Sequence, residues 1–243
     1  MTKELEKILR EVDTKFVPAV QEKFSQGLKS ILLYGSAARG TFVEKQSDVN
    51  LLVLIDQPDP RAIMRFGSEN SKLLKRNRIS LHILTVREFL NSADVFPMEY
   101  LDIMDAHRLL WGEDPTEQLH ITQSHLRHQV EERLRGAIHS MRQALIGAGT
   151  SRKTLERVLR NSFGAQLALY RGLLRLKNAD RIPNGEGAII EKLNEVFDIS
   201  IEPLRNLLDL RNGEKRDVEK ISVDLITFLT SLVAQVDAME TGK

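Results

Sequence analysis

The chain has 243 residues, room for one large domain or two modest ones, with 42% hydrophobic and 28% charged residues and a net charge of +1. That near-neutral balance argues against a strongly electrostatic nucleic-acid binder, and the absence of cysteine excludes disulfides, thiol catalysis and cysteine-ligated metal. Residues 1–12 are charged throughout, with no apolar core of signal-peptide length, and no apolar run approaches the ~18 residues of a membrane span, so the expectation is a soluble, cytoplasmic protein without a membrane partner.

Leu5, Ile8, Leu9, Val12, Phe16, Val20 and Phe24 recur at three and four, which predicts one amphipathic helix over residues 3–26, closed by Gly27. Pro18 lies well past its first turn and is expected to kink or break it. An apolar run over residues 30–34 then stops at Gly35. Ser36 is placed to cap a short helix over Ala37, Ala38 and Arg39, and Gly40 to end it. After a polar loop, residues 49–55 predict a buried strand. Strand, Gly-Ser turn, one-turn helix, loop and a strand opening at Asp48 describe a phosphate cradle facing a metal ligand. The helix start offers free N–H groups to phosphate oxygens, and Gly35 lets the backbone come close because it has no Cβ.

Farther on, residues 56–60 predict a turn, residues 63–74 a helix crossing back over the sheet, and residues 79–84 a third strand. Thr85 and Glu88 form a capping box, and Pro97 suits the first position of another helix, which carries Glu99, Asp102 and Asp105 along one side. Residues 108–111 predict a short strand. Beyond about residue 122 only helical patterns remain: a stripe from Leu126 to Leu145, a second helix over 154–176, an exposed loop at 181–187, and three more helices over 189–197, 202–210 and 218–239. Five helices with short loops predict a bundle, and its apolar stripes suit pairing with a second copy.

The words Leu33-Tyr34-Gly35-Ser36-Ala37 and Ser47-Asp48-Val49-Asn50-Leu51-Leu52-Val53 together resemble the polymerase-β-like nucleotidyltransferase superfamily, above all its antibiotic adenylyltransferases and minimal nucleotidyltransferases. The resemblance is strong over residues 28–56 and looser to about residue 115. It implies an α+β fold, with a small mixed sheet and flanking helices over residues 1–118 and an all-α bundle domain over 119–243. It implies transfer of a nucleoside monophosphate from an NTP to an acceptor that the sequence does not identify, with Mg²⁺ or Mn²⁺. Gly35, Ser36 and Arg39 would bind the nucleotide, and Asp48 with Asn50 would hold metal.

Asn50 departs from the family pattern, which has two carboxylates one residue apart on one strand face. The family's third carboxylate lies on a later strand, and residues 79–84 have no acid: Ser80 or His82 stands there. Three acids along a helix are ordinarily a solvated face. They are also the acidic cluster nearby, and Glu99 is its candidate for the missing group. Glu99 and His82 are therefore both candidates for the base beside the acceptor, with Asp48 as the bridging catalytic carboxylate. One lost charge at a two-metal site is worth roughly several kcal/mol at an effective dielectric of about 20, which implies impaired activity. The alternative is a catalytically degenerate nucleotide-binding or protein-interaction module.

Overall fold

The computed structural model describes residues 1–149, 151–179 and 182–239. It divides into two compact units, Met1–Asp94 with Glu99–His120, and Val95–Met98 with Ile121–Lys243.

The first unit opens with α1 (Lys3–Glu11), capped by the Thr2 hydroxyl, which accepts from the Leu5 N–H. The single helix expected over residues 3–26 is instead interrupted: Val12–Phe16 form a π turn before α2 (Val17–Phe24). Pro18 is the physical reason. It has no N–H to return to the preceding turn, and its ring crowds the carbonyl four residues back. Widening the turn relieves this, and the Val17 N–H reaches the Val12 carbonyl. The apolar stripe survives the change, with Val12, Phe16 and Val20 all fully buried.

Four strands follow, with helices between them: β1 (Leu28–Tyr34), α3 (Ser36–Arg39), β2 (Val49–Ile55), α4 (Pro60–Glu69), α5 (Ser71–Arg76), β3 (Ile79–Thr85), α6 (Val86–Asn91), α7 (Pro97–Asp105) and β4 (His107–Gly112). The sheet runs β3-β2-β1-β4. β1 is antiparallel to both β2 and β4, whereas β3 is parallel to β2. A parallel pair needs a crossover, and α4 with α5 supplies it, broken at Asn70 where one helix was expected. The Thr85–Glu88 capping box is present in both directions.

Side chains alternate across a strand, so each strand contributes to two faces. Leu33, Leu51 and Val53, with Leu81 and Ile83 packed against them, point into the core formed with α1, α2 and α4. The Phe66 ring centres that core, 6.0 Å from Phe16 and 5.5 Å from Phe24. Tyr34, Asn50, Ser80 and His82 occupy the alternate positions and hence the opposite face.

The second unit holds α8 (Gln123–Ala148), α9 (Arg152–Leu176), α10 (Glu186–Phe197), α11 (Glu202–Arg211) and α12 (Val218–Asp237). Among the described residues no strand follows Gly112. Gly172 sets how closely α8 and α9 approach: a Cβ there would lie 2.9 Å from Val130 Cγ2. Arg181, the first residue of the loop expected at 181–187, lies outside the described residues. No helix among the described residues is long and apolar enough to cross a membrane.

Candidate functional site

β1 ends at Tyr34, and the chain turns at Gly35 with φ 75° and ψ −149°. That conformation is open to glycine and strained for any residue with a Cβ. Ser36 was expected to cap α3, but Gly35 holds the cap position, and there is no side-chain cap. Turning at φ > 0 draws Ser36 into the helix as its first residue. The first return bond of α3 runs from the Arg39 N–H to the Gly35 carbonyl at 2.9 Å. The N–H groups of Ser36, Ala37 and Ala38 precede it and have no partner within the helix. Gly40, left-handed at φ 80°, ends α3.

Asp48 lies immediately before β2 and is exposed, while Asn50 lies inside the strand and is half-buried. The start of β2 is held from several sides. The Val49 N–H donates to the Arg78 carbonyl at 2.9 Å, Arg78 Nε donates to the Ser47 carbonyl at 3.2 Å, and the Ser47 hydroxyl accepts from the Val43 N–H at 3.0 Å. Asp48 itself makes no hydrogen bond or ion pair among the described residues.

Register places the remaining groups. Asn50 pairs with Tyr34 on β1 and with Ser80 on β3, and Tyr34 pairs with His107 on β4. A row Ser80–Asn50–Tyr34–His107 therefore crosses the end of the sheet beside Gly35. The Asn50 side chain lies directly under the turn. His82, opposite Leu52, is exposed and stands edge-on to the Tyr34 ring at 6.4 Å. Burial, with a smaller push from Tyr100, raises the Tyr34 hydroxyl to about 12, so it is neutral near pH 7.

The other expected site residues are placed differently. The Arg39 side chain is only 6% exposed, and its Nη2 donates to the Asp102 carbonyl at 3.1 Å and lies 3.4 Å from Asp102 Oδ1. It ties α3 to α7. Glu99 is exposed on the first turn of α7. Among the described residues no three His, Asp or Glu side chains converge as a metal site. By position, the residues that could hold an ion near the turn are Asp48, with one carboxylate, and Asn50, with one amide oxygen. That pair fits one hard divalent ion completed by phosphate oxygens and lacks the charge for two.

One pair was missed from the sequence. His107 Nε2 lies 2.7 Å from Asp114 Oδ2, and its Nδ1 lies 2.9 Å from the Ile103 carbonyl. Burial pushes the Asp114 carboxyl up, but the Thr116 hydroxyl and N–H, together with His107, outweigh it and hold the group below the usual carboxylate range. Asp114-Pro115-Thr116 is a cap signature, and it was legible only as a turn.

Residues 13–110 match the family model described as nucleotidyltransferase domain. A Methanocaldococcus jannaschii protein named as a protein adenylyltransferase is 45% identical over 60 residues, which span 25% of this chain and 40% of that relative. The crystal structure of the Enterococcus faecialis spectinomycin adenyltransferase with ATP and spectinomycin superposes with a TM-score of 0.57 at 14% identity, covering 96% of this chain and all 100% of that one. At that identity the likeness is one of fold.

Proposed function

From the match of residues 13–110 to the nucleotidyltransferase domain model, we propose that this chain is a member of the polymerase-β-like superfamily that binds ATP at the β1–α3 turn and transfers its adenylyl group to an acceptor hydroxyl. The acceptor oxygen would form a bond to the α-phosphorus as the bond to the bridging oxygen breaks. Pyrophosphate leaves, and the hydroxyl proton passes to a base. The observation that carries this reading is the Gly35 turn, with three N–H groups that have no partner within α3, standing directly over Asn50 in the strand that follows Asp48.

Each residue has a role in that scheme. The N–H groups of Ser36, Ala37 and Ala38 and the Ser36 hydroxyl would hold the β- and γ-phosphates. Arg39 would fix the cradle through Asp102 and add positive charge beneath it. Asp48 and Asn50 would hold one Mg²⁺ or Mn²⁺ together with the nucleotide, an ion that supplies charge neutralisation on the triphosphate. His82 and Glu99 are the groups offered as proton acceptor. The adenylyl donor is favoured over other NTPs because the relative that the chain matches in sequence is named for adenylyl transfer, and so is the protein that it matches in fold. As to the acceptor, those names suggest a protein and spectinomycin as the first two to try.

Asn50 favours a second reading, nucleotide binding with little or no turnover. A neutral amide oxygen cannot offset repulsion between two dications. The test is thermal melting with ATP, GTP, CTP and UTP, each with and without Mg²⁺ or Mn²⁺, followed by transfer of label from α-labelled ATP. A rise in melting temperature that is largest with ATP, and smaller in Ser36→Ala, supports binding at the turn. Label transfer then separates the two readings. No shift with any nucleotide would sink both.

A further inference from the structure

The second unit contains a cavity of about 510 Å³ between one face of α9 and the connection from α11 to α12. This is within the size range of small-molecule sites. Arg152, Glu156 and Arg160 line it from α9, spaced at four so that they stack on one side of the helix. Gly213, Glu214 and Lys215 line it from the connection. The connection is pinned at both ends by α9: Arg152 Nη2 donates to the Arg216 carbonyl at 3.0 Å, and Arg160 Nη1 donates to the Arg211 carbonyl at 2.9 Å. These two bonds hold the wall of the cavity in place.

The charges lining the cavity do not cancel. Glu156 accepts from Arg160 at 2.7 Å, and Glu214 accepts from Arg216 at 2.8 Å, so each carboxylate already has its cation. Arg152 and Lys215 have no carboxylate partner among the described residues. Arg152 spends one N–H on a carbonyl and keeps the rest of its fork, which matches the oxygens of a phosphate. Lys215 adds a point charge on the facing wall. Arg152 is also the first residue of α9, a helix of 25 residues, so the positive end of the helix dipole adds to the same field.

We propose that this cavity is an anion site for a phosphate group, carried free or on a small phosphomonoester, gripped by Arg152 and Lys215. The site belongs to the helical unit alone and stands independently of the function assigned to residues 13–110.

The experiment is calorimetric titration of the full-length chain in chelator-treated, low-salt buffer, with inorganic phosphate in one arm and AMP in the other. Chelation keeps metal-dependent nucleotide binding out of the measurement, and low salt avoids screening. The wild type should bind one equivalent. Lys215→Gln should weaken binding at least fivefold and Arg152→Gln/Lys215→Gln at least twentyfold, while Ser36→Ala leaves it unchanged. Lys215 makes no hydrogen bond or ion pair among the described residues, so the single variant should keep its fold even if the double variant does not. Binding in both arms identifies the phosphate group itself as the ligand, and binding of AMP alone identifies a monoester. No binding in either arm, binding equal in wild type and Lys215→Gln, or binding lost in Ser36→Ala would overturn the proposal.

Discussion

The Asn50 side chain lies directly beneath Gly35: a Cβ added to that glycine would stand 2.6 Å from Asn50 Nδ2. Gly35 is thus constrained twice, by its φ of 75° and by the neighbour below. The two constraints are separable. Gly35→Ala should lose about 1–3 kcal/mol from backbone strain, plus a contact contribution. Asn50→Ala removes the contact and leaves the strain. In a double-mutant cycle followed by urea unfolding, Gly35→Ala should therefore cost less in the Asn50→Ala background than in the wild type. Equal costs in the two backgrounds would mean that the amide moves aside freely. Gly35→Val should also nearly abolish NTP binding, because its side chain must displace both the turn and Asn50.

Arg39 has its guanidinium on Asp102, and its side chain is 6% exposed. A group so placed acts first on stability. Arg39→Ala withdraws a donor from the Asp102 carbonyl and carboxylate and should cost about 2 kcal/mol in urea unfolding without any ligand. Arg39→Lys keeps the charge but loses the fork, and it should recover only part of that. A variant as stable as the wild type but deficient in ATP binding would instead place the guanidinium on the nucleotide.

Asp114 gives the first unit a defined response to acid. Its carboxyl is held below the usual range despite partial burial, by Thr116 and His107. The depressed folded value means that its stabilising contribution is complete above the unfolded value of about 3.9 and disappears as the pH falls through the folded one. Asp114→Asn keeps a side chain able to cap residues Pro115–Gln118 and removes the charge beside His107. The variant should be less stable than the wild type at pH 7, and the gap should close as the pH is lowered below about 4. A gap that stays constant from pH 7 to 3 would show that the charge contributes nothing.

The four strands and the Gly-Ser turn were legible because each rests on local signals. Apolar runs at Leu28–Tyr34 and Val49–Ile55 are bounded by glycine or polar loops, and Thr85 with Glu88 specifies its own cap. The π turn at Val12–Phe16 was foreshadowed by Pro18 only as a kink, since sequence periodicity does not tell a widened turn from a break. Arg39 reads as a phosphate ligand because it is a cation one turn from Gly35, but its tie to Asp102 was not legible. Its partner, Asp102, lies far along the chain, and long-range pairing leaves no periodic trace. His107 and Asp114 were missed for a related reason. His107 opens β4 and Asp114 lies just past its last residue, and each alone resembles an ordinary surface residue.

The sharpest test of mechanism is the return of one charge. Asn50→Asp is nearly isosteric, so β2 should accept it. The new carboxylate would share a strand face with Asp48, two residues away, and like charges there repel. Asp48 is exposed, so solvent screens the repulsion, and the apo variant should melt only slightly below the wild type. An added charge about 4 Å from a cation is worth ~4 kcal/mol at an effective dielectric of about 20, before desolvation reduces it. A net gain of at least about tenfold in Mn²⁺ affinity, ~1.4 kcal/mol, is therefore expected in the presence of a non-hydrolysable ATP analogue. Mn²⁺ should also raise the melting temperature of the variant more than that of the wild type. If the site lacks a second ion only for want of this charge, calorimetry should count one more ion per chain in Asn50→Asp, and adenylyl transfer should rise with it. Equal ion affinity and stoichiometry in the two proteins would mean that Asn50, although it lies against Gly35, does not face the metal. Residues 13–110 would then keep their likeness to a nucleotidyltransferase domain with no claim on two-ion chemistry.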